Sequence, residues 1–284
     1  MEAAVGNAHW CKSSLDGEID ARLPLDDRGL AYGDGLFETM RVVQGKIPLL
    51  DYHLDRLQFG CRALAIDYQP DHIKNCIASM LKHAQSEHCS LKLIYTRGSG
   101  GAGFIPANCR SPRLALTLKP LLEQSPLTGI RLYLCSQNLT SNRQLAGIKH
   151  LNRLEYVLAA NKLPPESGPY GLLLDGNSMV VESLHHNLFV LNGRRLLTPA
   201  LKDCGVKGVM RRYLLENVAS FADIDSIAEV DDLSLADLKH ADEMFLTNSL
   251  RGVIPVRAFD NKEWDRTPQT LALQKYVASI WDLK

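Results

Sequence analysis

Between Phe37 and Ala65 the hydrophobic period of the chain changes, and that change restricts what it can fold into. Phe37 to Val43 reads as a strand, Gly45-Lys46 as a hairpin turn and Ile47 to Leu50 as the returning strand. From Leu54 through Leu57, Cys61, Leu64 and Ala65 the apolar residues instead recur at three and four, as one helix face requires. A second amphipathic helix fits Asp71 to His83, with Asp71 able to cap it and Ile73, Cys76, Ile77, Met80 and Leu81 as its buried stripe. Strands resume at Ser90 to Thr96 and Arg113 to Leu118. They flank a glycine-rich loop, Arg97 to Gly103, which is too long for a tight turn and is expected to face a ligand or a partner.

These elements make residues 1–119 a small α/β domain. Pro120, Ser125 and Pro126 interrupt the periodic segments, so 120–128 is the expected interdomain linker, and 129–284 the larger domain. There, Ile130 to Cys135 reads as a strand, and Asn152 to Leu163 as a helix with Leu154, Val157, Leu158 and Asn161 along one side. Short strands are expected at Tyr170 to Asp175, Met179 to Glu182 and Asn187 to Leu191. A helix is expected over Lys207 to Phe221, then an acid-capped helix over Ser234 to Lys239 and a strand over Glu243 to Thr247.

Composition narrows the function classes. The formal net charge is zero with both signs dispersed, which argues against a nucleic-acid surface. The seven cysteines are scattered without a C-x-x-C pair or zinc-ligand spacing, as expected of a reducing cytoplasm. No stretch approaches the roughly 20 apolar residues that span a bilayer, and Met1 to Leu15 lacks the apolar core of a leader, so a soluble, unexported protein is expected.

Four places can carry chemistry. Lys149 lies where a loop gives way to a helix among apolar neighbours, and partial desolvation there would favour a nucleophilic amine. A solvated lysine at a strand end is the commoner use of such a residue. Glu182 ends the apolar run Met179 to Val181 and, if buried, needs a cationic or hydrogen-bonding partner; a strand-end glutamate in water is the alternative. Gly205 and Gly208 open a helix whose free first-turn N–H groups suit a phosphate. Arg56 could supply a bidentate cation to the same phosphate, or could be a solvated helix arginine. A metal site is not expected: His185 and His186 would point to opposite faces of a strand, and His53 and His150 have no carboxylate or cysteine at ligand spacing. The glycine-rich loop is neither a P-loop nor a dinucleotide fingerprint.

Taken in order, Arg28 to Thr39, His53 to Leu57, the Lys149 segment, Glu182 with Asn187 to Phe189, Gly205 to Gly208, and Asp242 to Phe245 leading to Asn248-Ser249 and Pro255-Val256 resemble the landmarks of the fold-type IV pyridoxal-phosphate enzymes. That family holds branched-chain and D-amino-acid aminotransferases and aminodeoxychorismate lyases, and the resemblance covers almost the whole chain. It implies a two-domain α/β (α+β) fold: a small N-terminal α/β domain, a larger C-terminal domain with a barrel-like β core, and an active site between them that a second subunit of a homodimer closes.

It also implies pyridoxal 5'-phosphate as cofactor. Lys149 would form the Schiff base, Glu182 would pair with the pyridine nitrogen, and Arg56, Ser249 and the backbone N–H groups of Val206 and Lys207 would hold the phosphate. The segment Ala146 to Glu155 is similar to the lysine motif of the lyases, and Leu154 stands where branched-chain aminotransferases usually have tyrosine. The implied reaction converts 4-amino-4-deoxychorismate to 4-aminobenzoate and pyruvate; a D-amino-acid or related aminotransferase and a non-catalytic PLP-fold binding protein are the alternatives. Many relatives carry an arginine where this chain has Ala102, so Tyr32, Arg97, Arg153 and Arg251 become the candidates for binding substrate.

Overall fold

The alternation that begins at Phe37 becomes a strand in the computed structural model, which describes residues 10–109, 111–121, 128–218, 224–265 and 267–281. These fall into two compact units. The first takes the described residues of Met1–Gln124 and of Ile148–Asn152, the second those of Ser125–Gly147 and Arg153–Asp282. Against the expected division at 119 and 129, the short segment Ile148–Asn152 thus joins the first unit. Of the expected linker, Pro120 ends a strand and residues 122–127 lie outside the described residues.

The first unit is built on an antiparallel sheet of β1 (Lys12–Leu15), β2 (Glu18–Ile19), β3 (Gly35–Val43), β4 (His88–Thr96) and β5 (Arg113–Pro120), in the order β2-β1-β5-β4-β3. It carries the helices α1 (Arg28–Tyr32), α2 (Leu50–Leu64) and α3 (Pro70–Leu81). Period-two alternation buries Leu36, Glu38, Met40 and Val42 on one face of β3. Helix α2 packs on β3 and buries Leu54, Leu57 and Cys61; each leucine contributes roughly 2 kcal/mol. Gly60 makes the close approach possible, since a Cβ there would lie 2.8 Å from the Leu36 methyl carbons.

The returning strand expected at Ile47 to Leu50 does not form. The turn is Gln44-Gly45, both at positive φ, and Val43 and Lys46 exchange their backbone hydrogen bonds at 2.8 and 2.9 Å. Pairing stops there because Pro48 has no N–H for another rung and α2 starts at Leu50. Asp71 is not the cap of α3 either: Gln69 is, Pro70 is the first helical residue, and Asp71 lies in the first turn, where its charge suits the helix dipole.

The second unit is a mixed, curled sheet of β6 (Ile130–Leu134), β7 (Gly171–Leu174), β8 (Val180–Ser183), β9 (Asn187–Asn192), β10 (Arg195–Pro199), β11 (Ser226–Val230), β12 (Glu243–Asn248) and β13 (Gly252–Phe259). Their order is β11-β10-β9-β12-β13-β6-β7-β8, and β14 (Lys262–Glu263) pairs with β13. Strands β10/β11, β13/β6 and β6/β7 are parallel and the remaining pairs antiparallel. Its main core joins Ile130, Leu172, Leu174, Leu188, Val190, Met244, Leu246, Ile254 and Trp264. A second cluster gathers Cys135, Leu139, Leu173, Val181, Leu184 and Leu201, so β7 is buried on both faces.

Four helices complete this unit: α4 (Leu154–Ala160), α5 (Val209–Asn217), α6 (Leu235–His240) and α7 (Pro268–Ser279). Helix α4 is shorter than the expected Asn152 to Leu163, and its apolar stripe faces outward in the single chain: Leu154 is 69% exposed, Val157 50% and Leu158 44%. Helix α5 begins after Gly208, two residues later than expected, and residues 219–223 lie outside the described residues. Helix α6 is capped by Ser234, whose hydroxyl accepts from Asp237 N–H while the Asp237 carboxylate accepts from Ser234 N–H.

Candidate active site

The segment around Lys149 is tied down by backbone pairing. Phe37 N–H donates to Lys149 O at 2.9 Å, Leu151 N–H donates to Gly35 O at 3.0 Å, and His150 bridges Leu36, so this stretch covers the edge of β3. Lys149 therefore sits opposite Phe37, and its Nζ lies 4.5 Å from the centre of the Phe37 ring. The lysine is half-buried.

Next to Phe37 on β3, Glu38 points to the opposite, buried face, where α2 supplies two partners one turn apart. Arg56 Nε donates to Glu38 Oε1 at 2.7 Å and Arg56 Nη2 to Oε2, while His53 Nδ1 meets Oε2 at 2.6 Å. Burial alone would raise the carboxyl pKa, but the Arg56 charge and the hydrogen bonds from His53 and Arg56 outweigh it and hold Glu38 down to about 2. Burial holds the His53 imidazole below its ordinary pKa against the pull of Glu38, and the charges of Arg56 and Lys149 add to that depression. We therefore treat His53 as neutral, with Nδ1–H donating to Glu38.

In the second unit Glu182 is 4% exposed and accepts three hydrogen bonds: from Tyr156 Oη at 2.6 Å, from Asn187 Nδ2 at 3.0 Å and from Val206 N–H at 3.1 Å. A bulge aims it. Strand β8 carries one extra residue, Val181, between the pairs Leu174/Val180 and Leu173/Glu182, which turns Glu182 to the Leu173 side. Burial, then the Glu182 charge, pushes the Tyr156 phenol well above the usual tyrosine range. The Arg153 guanidinium lies 4.8 Å from the Tyr156 ring centre.

The expected phosphate cradle needs a correction. Val206 N–H donates to Glu182, and Lys207 N–H donates to Gly147 O at 3.0 Å, so neither backbone group has its donor to spare for an anion. Helix α5 starts behind them at Gly208, which has no side chain to cap its first-turn N–H groups. Ser249 is half-buried in the turn after β12, where Asn248 Oδ1 accepts from Leu250 N–H at 3.1 Å and Arg251 N–H at 2.9 Å.

Arg97 is also removed from the substrate candidates. Its guanidinium donates to both Asp34 oxygens, at 2.8 and 3.0 Å, and to the carbonyls of Leu64 and Ala65, at 2.6 and 2.8 Å. Arg251 is half-buried, and Tyr32 is 41% exposed against Phe104, with ring centres 5.5 Å apart. The glycine-rich loop is organised by buried Arg28, whose guanidinium donates to Gly103 O at 2.8 Å, Phe104 O at 3.3 Å and Gly100 O at 3.4 Å, and to Asp34 at 2.9 Å.

Sequence reasoning passed over Glu38, Tyr156 and Arg28. Glu38 had a readable signal, a carboxylate at an inward position of an alternating strand. Tyr156 had none, because its partner is 26 residues away. Among the described residues no helix is long and apolar enough to cross a membrane, and no group of three or more metal-type side chains forms.

A lysine paired onto a strand edge in one unit and a buried, bulge-aimed carboxylate in a curled second sheet define a chain of the class IV amino-transferase family, to which this protein belongs; the family model matches residues 35–259. The chain is 32% identical to the aminodeoxychorismate lyase of Vibrio harveyi over 88% of its own length and 92% of that protein. It is 29% identical to a putative branched-chain-amino-acid aminotransferase of Methanocaldococcus jannaschii, over 94% and 95% of the two chains. Among solved structures, the 4-amino-4-deoxychorismate lyase of Pseudomonas aeruginosa matches with a TM-score of 0.88 and 40% identity, over 95% of this chain and 100% of that one.

Proposed function

We infer that the protein is a pyridoxal-phosphate-dependent aminodeoxychorismate lyase, cleaving 4-amino-4-deoxychorismate to 4-aminobenzoate and pyruvate. The observation that carries this is the 40% identity with a lyase structure across nearly the whole of both chains. The donor set fits the cofactor: a primary amine at Lys149, a guanidinium at Arg56, and a buried carboxylate at Glu182 ready to receive a cationic ring nitrogen. Gly205 keeps the room beside that carboxylate, since a Cβ there would lie 2.8 Å from Val181 Cγ1 and 3.5 Å from Glu182 Cδ.

Bound pyridoxal phosphate supplies an electron sink that acidifies the substrate carbon bearing nitrogen. Lys149 Nζ then takes the proton from that carbon. The neighbouring C–O bond breaks as the ring becomes aromatic, and the same amine returns the proton to the departing enolpyruvate, giving pyruvate. Glu182, fixed by Tyr156 and Asn187, stays ionised to bind the ring nitrogen. Arg56 and Ser249 bind phosphate. Arg153, Arg251 and Tyr32 are the side chains assigned to substrate.

The exposed stripe of Leu154, Val157 and Leu158 supports a homodimer, and seven free cysteines support a cytoplasmic setting. The test generates aminodeoxychorismate with its synthase, adds this protein, and follows 4-aminobenzoate and pyruvate, with D-alanine plus 2-oxoglutarate in parallel. Equal yields of the two products are expected, and the Lys149→Ala variant should yield neither. Alanine consumption without 4-aminobenzoate would make the protein an aminotransferase of the same family.

A further inference from the structure

Arg56 meets the rest of its unit through one edge of its guanidinium. Nε and Nη2 both donate to Glu38, a carboxylate 1% exposed on the inward face of β3. The second Glu38 oxygen is shared with His53 Nδ1, from the same helix one turn earlier. A fork held in this way has lost its rotamer freedom before any ligand arrives, so gripping an anion costs it little more.

We propose that Glu38 and His53 are positioning residues for Arg56: together they aim its guanidinium so that the Nη1 side is presented to the phosphate of the cofactor. This rests on Arg56 being the phosphate cation of the proposed function. The order of the contacts supports it. Glu38 follows Phe37, the strand partner of Lys149, so one stretch of β3 fixes both the lysine and the clamp on Arg56. His53 braces Glu38 from the side that Arg56 leaves open, and the Glu38 charge persists in the buried pair because the guanidinium neutralises it.

The test compares binding of pyridoxal phosphate with binding of pyridoxal, which lacks the phosphate, to the full-length apoprotein, followed by the absorbance of the bound chromophore. Glu38→Gln and His53→Ala should each raise the Kd for pyridoxal phosphate roughly tenfold, as loss of a supporting partner commonly does, while leaving the Kd for pyridoxal unchanged. His53→Asn, whose amide nitrogen occupies the place of Nδ1, should restore wild-type affinity. Arg56→Ala should weaken pyridoxal phosphate binding at least as much, and Glu38→Gln added to Arg56→Ala should weaken it no further.

Equal weakening of both ligands by Glu38→Gln, or additive losses in the double variant, would overturn the clamp and leave Glu38 a purely structural acid. Unchanged phosphate affinity in Arg56→Ala would instead remove Arg56 from the cofactor site, a different result. If Glu38→Gln does not fold, Glu38→Asp keeps the charge with a shorter reach and should show the same phosphate-selective loss; a pyridoxal phosphate Kd equal to wild type would count against the clamp.

Discussion

Tyr156 Oη donates a 2.6 Å hydrogen bond to Oε1 of Glu182, across 26 residues of sequence and from helix α4 to strand β8. With Asn187 and Val206 on Oε2, it leaves both oxygens of a buried carboxylate hydrogen-bonded. Removing the phenol deletes a charge-assisted bond. Tyr156→Phe is expected to lower the unfolding free energy by roughly 1.5–3 kcal/mol in urea denaturation and to lower kcat, because a less-supported Glu182 carries its charge less readily.

Acid should unfold the protein in two stages. His53 has a folded pKa below its ordinary 6.5, so its stabilisation is complete above 6.5 and falls as the unfolded chain takes up protons below it. Glu38 falls from an ordinary 4.5 to about 2 in the fold. Its contribution is complete above 4.5 and is lost as pH drops towards 2, an effect of roughly 3 kcal/mol. Denaturation midpoints measured from neutral pH to pH 3 should decline steadily. Glu38→Gln should be less stable at neutral pH, having broken a buried pair, and should flatten the acid limb below 4.5.

Gly208 has no room for a side chain: a Cβ would lie 1.9 Å from Asn187 Oδ1. Asn187 Nδ2 donates both to Glu182 and to Val206 O, at 3.0 and 2.8 Å. Gly208→Ala is therefore expected to displace Asn187, to cost on the order of 2 kcal/mol, and to reduce turnover. A variant with wild-type melting temperature and rate would show that Asn187 can move aside freely.

Arg28 gathers the carbonyls of Gly100, Gly103 and Phe104 around one guanidinium, which lysine cannot do with a single ammonium. Arg28→Lys should accelerate amide exchange across residues 98–106 severalfold while β4 and β5 keep their protection. Uniform loss of protection across the sheet would mean that Arg28 supports the whole first unit.

The strand Phe37 to Val43, the helix stripe from Leu54 to Leu64 and the landmark lysine at 149 were legible in the residues because each depends on neighbours in sequence or on a local pattern. So was the family. What the one-dimensional pattern could not carry was partnership between distant residues. Nothing in the sequence near Arg97 reveals that Asp34 and two carbonyls of α2 take up its guanidinium, nor that the Val206 and Lys207 N–H groups are turned onto Glu182 and Gly147. The position of Glu182 depends on a single extra residue in β8, whose effect exists only once β7 is paired beside it. Local propensity and periodicity decide elements; hydrogen-bond partners are decided by which elements pack together, since a buried polar group must take its partner from whatever the fold brings within reach.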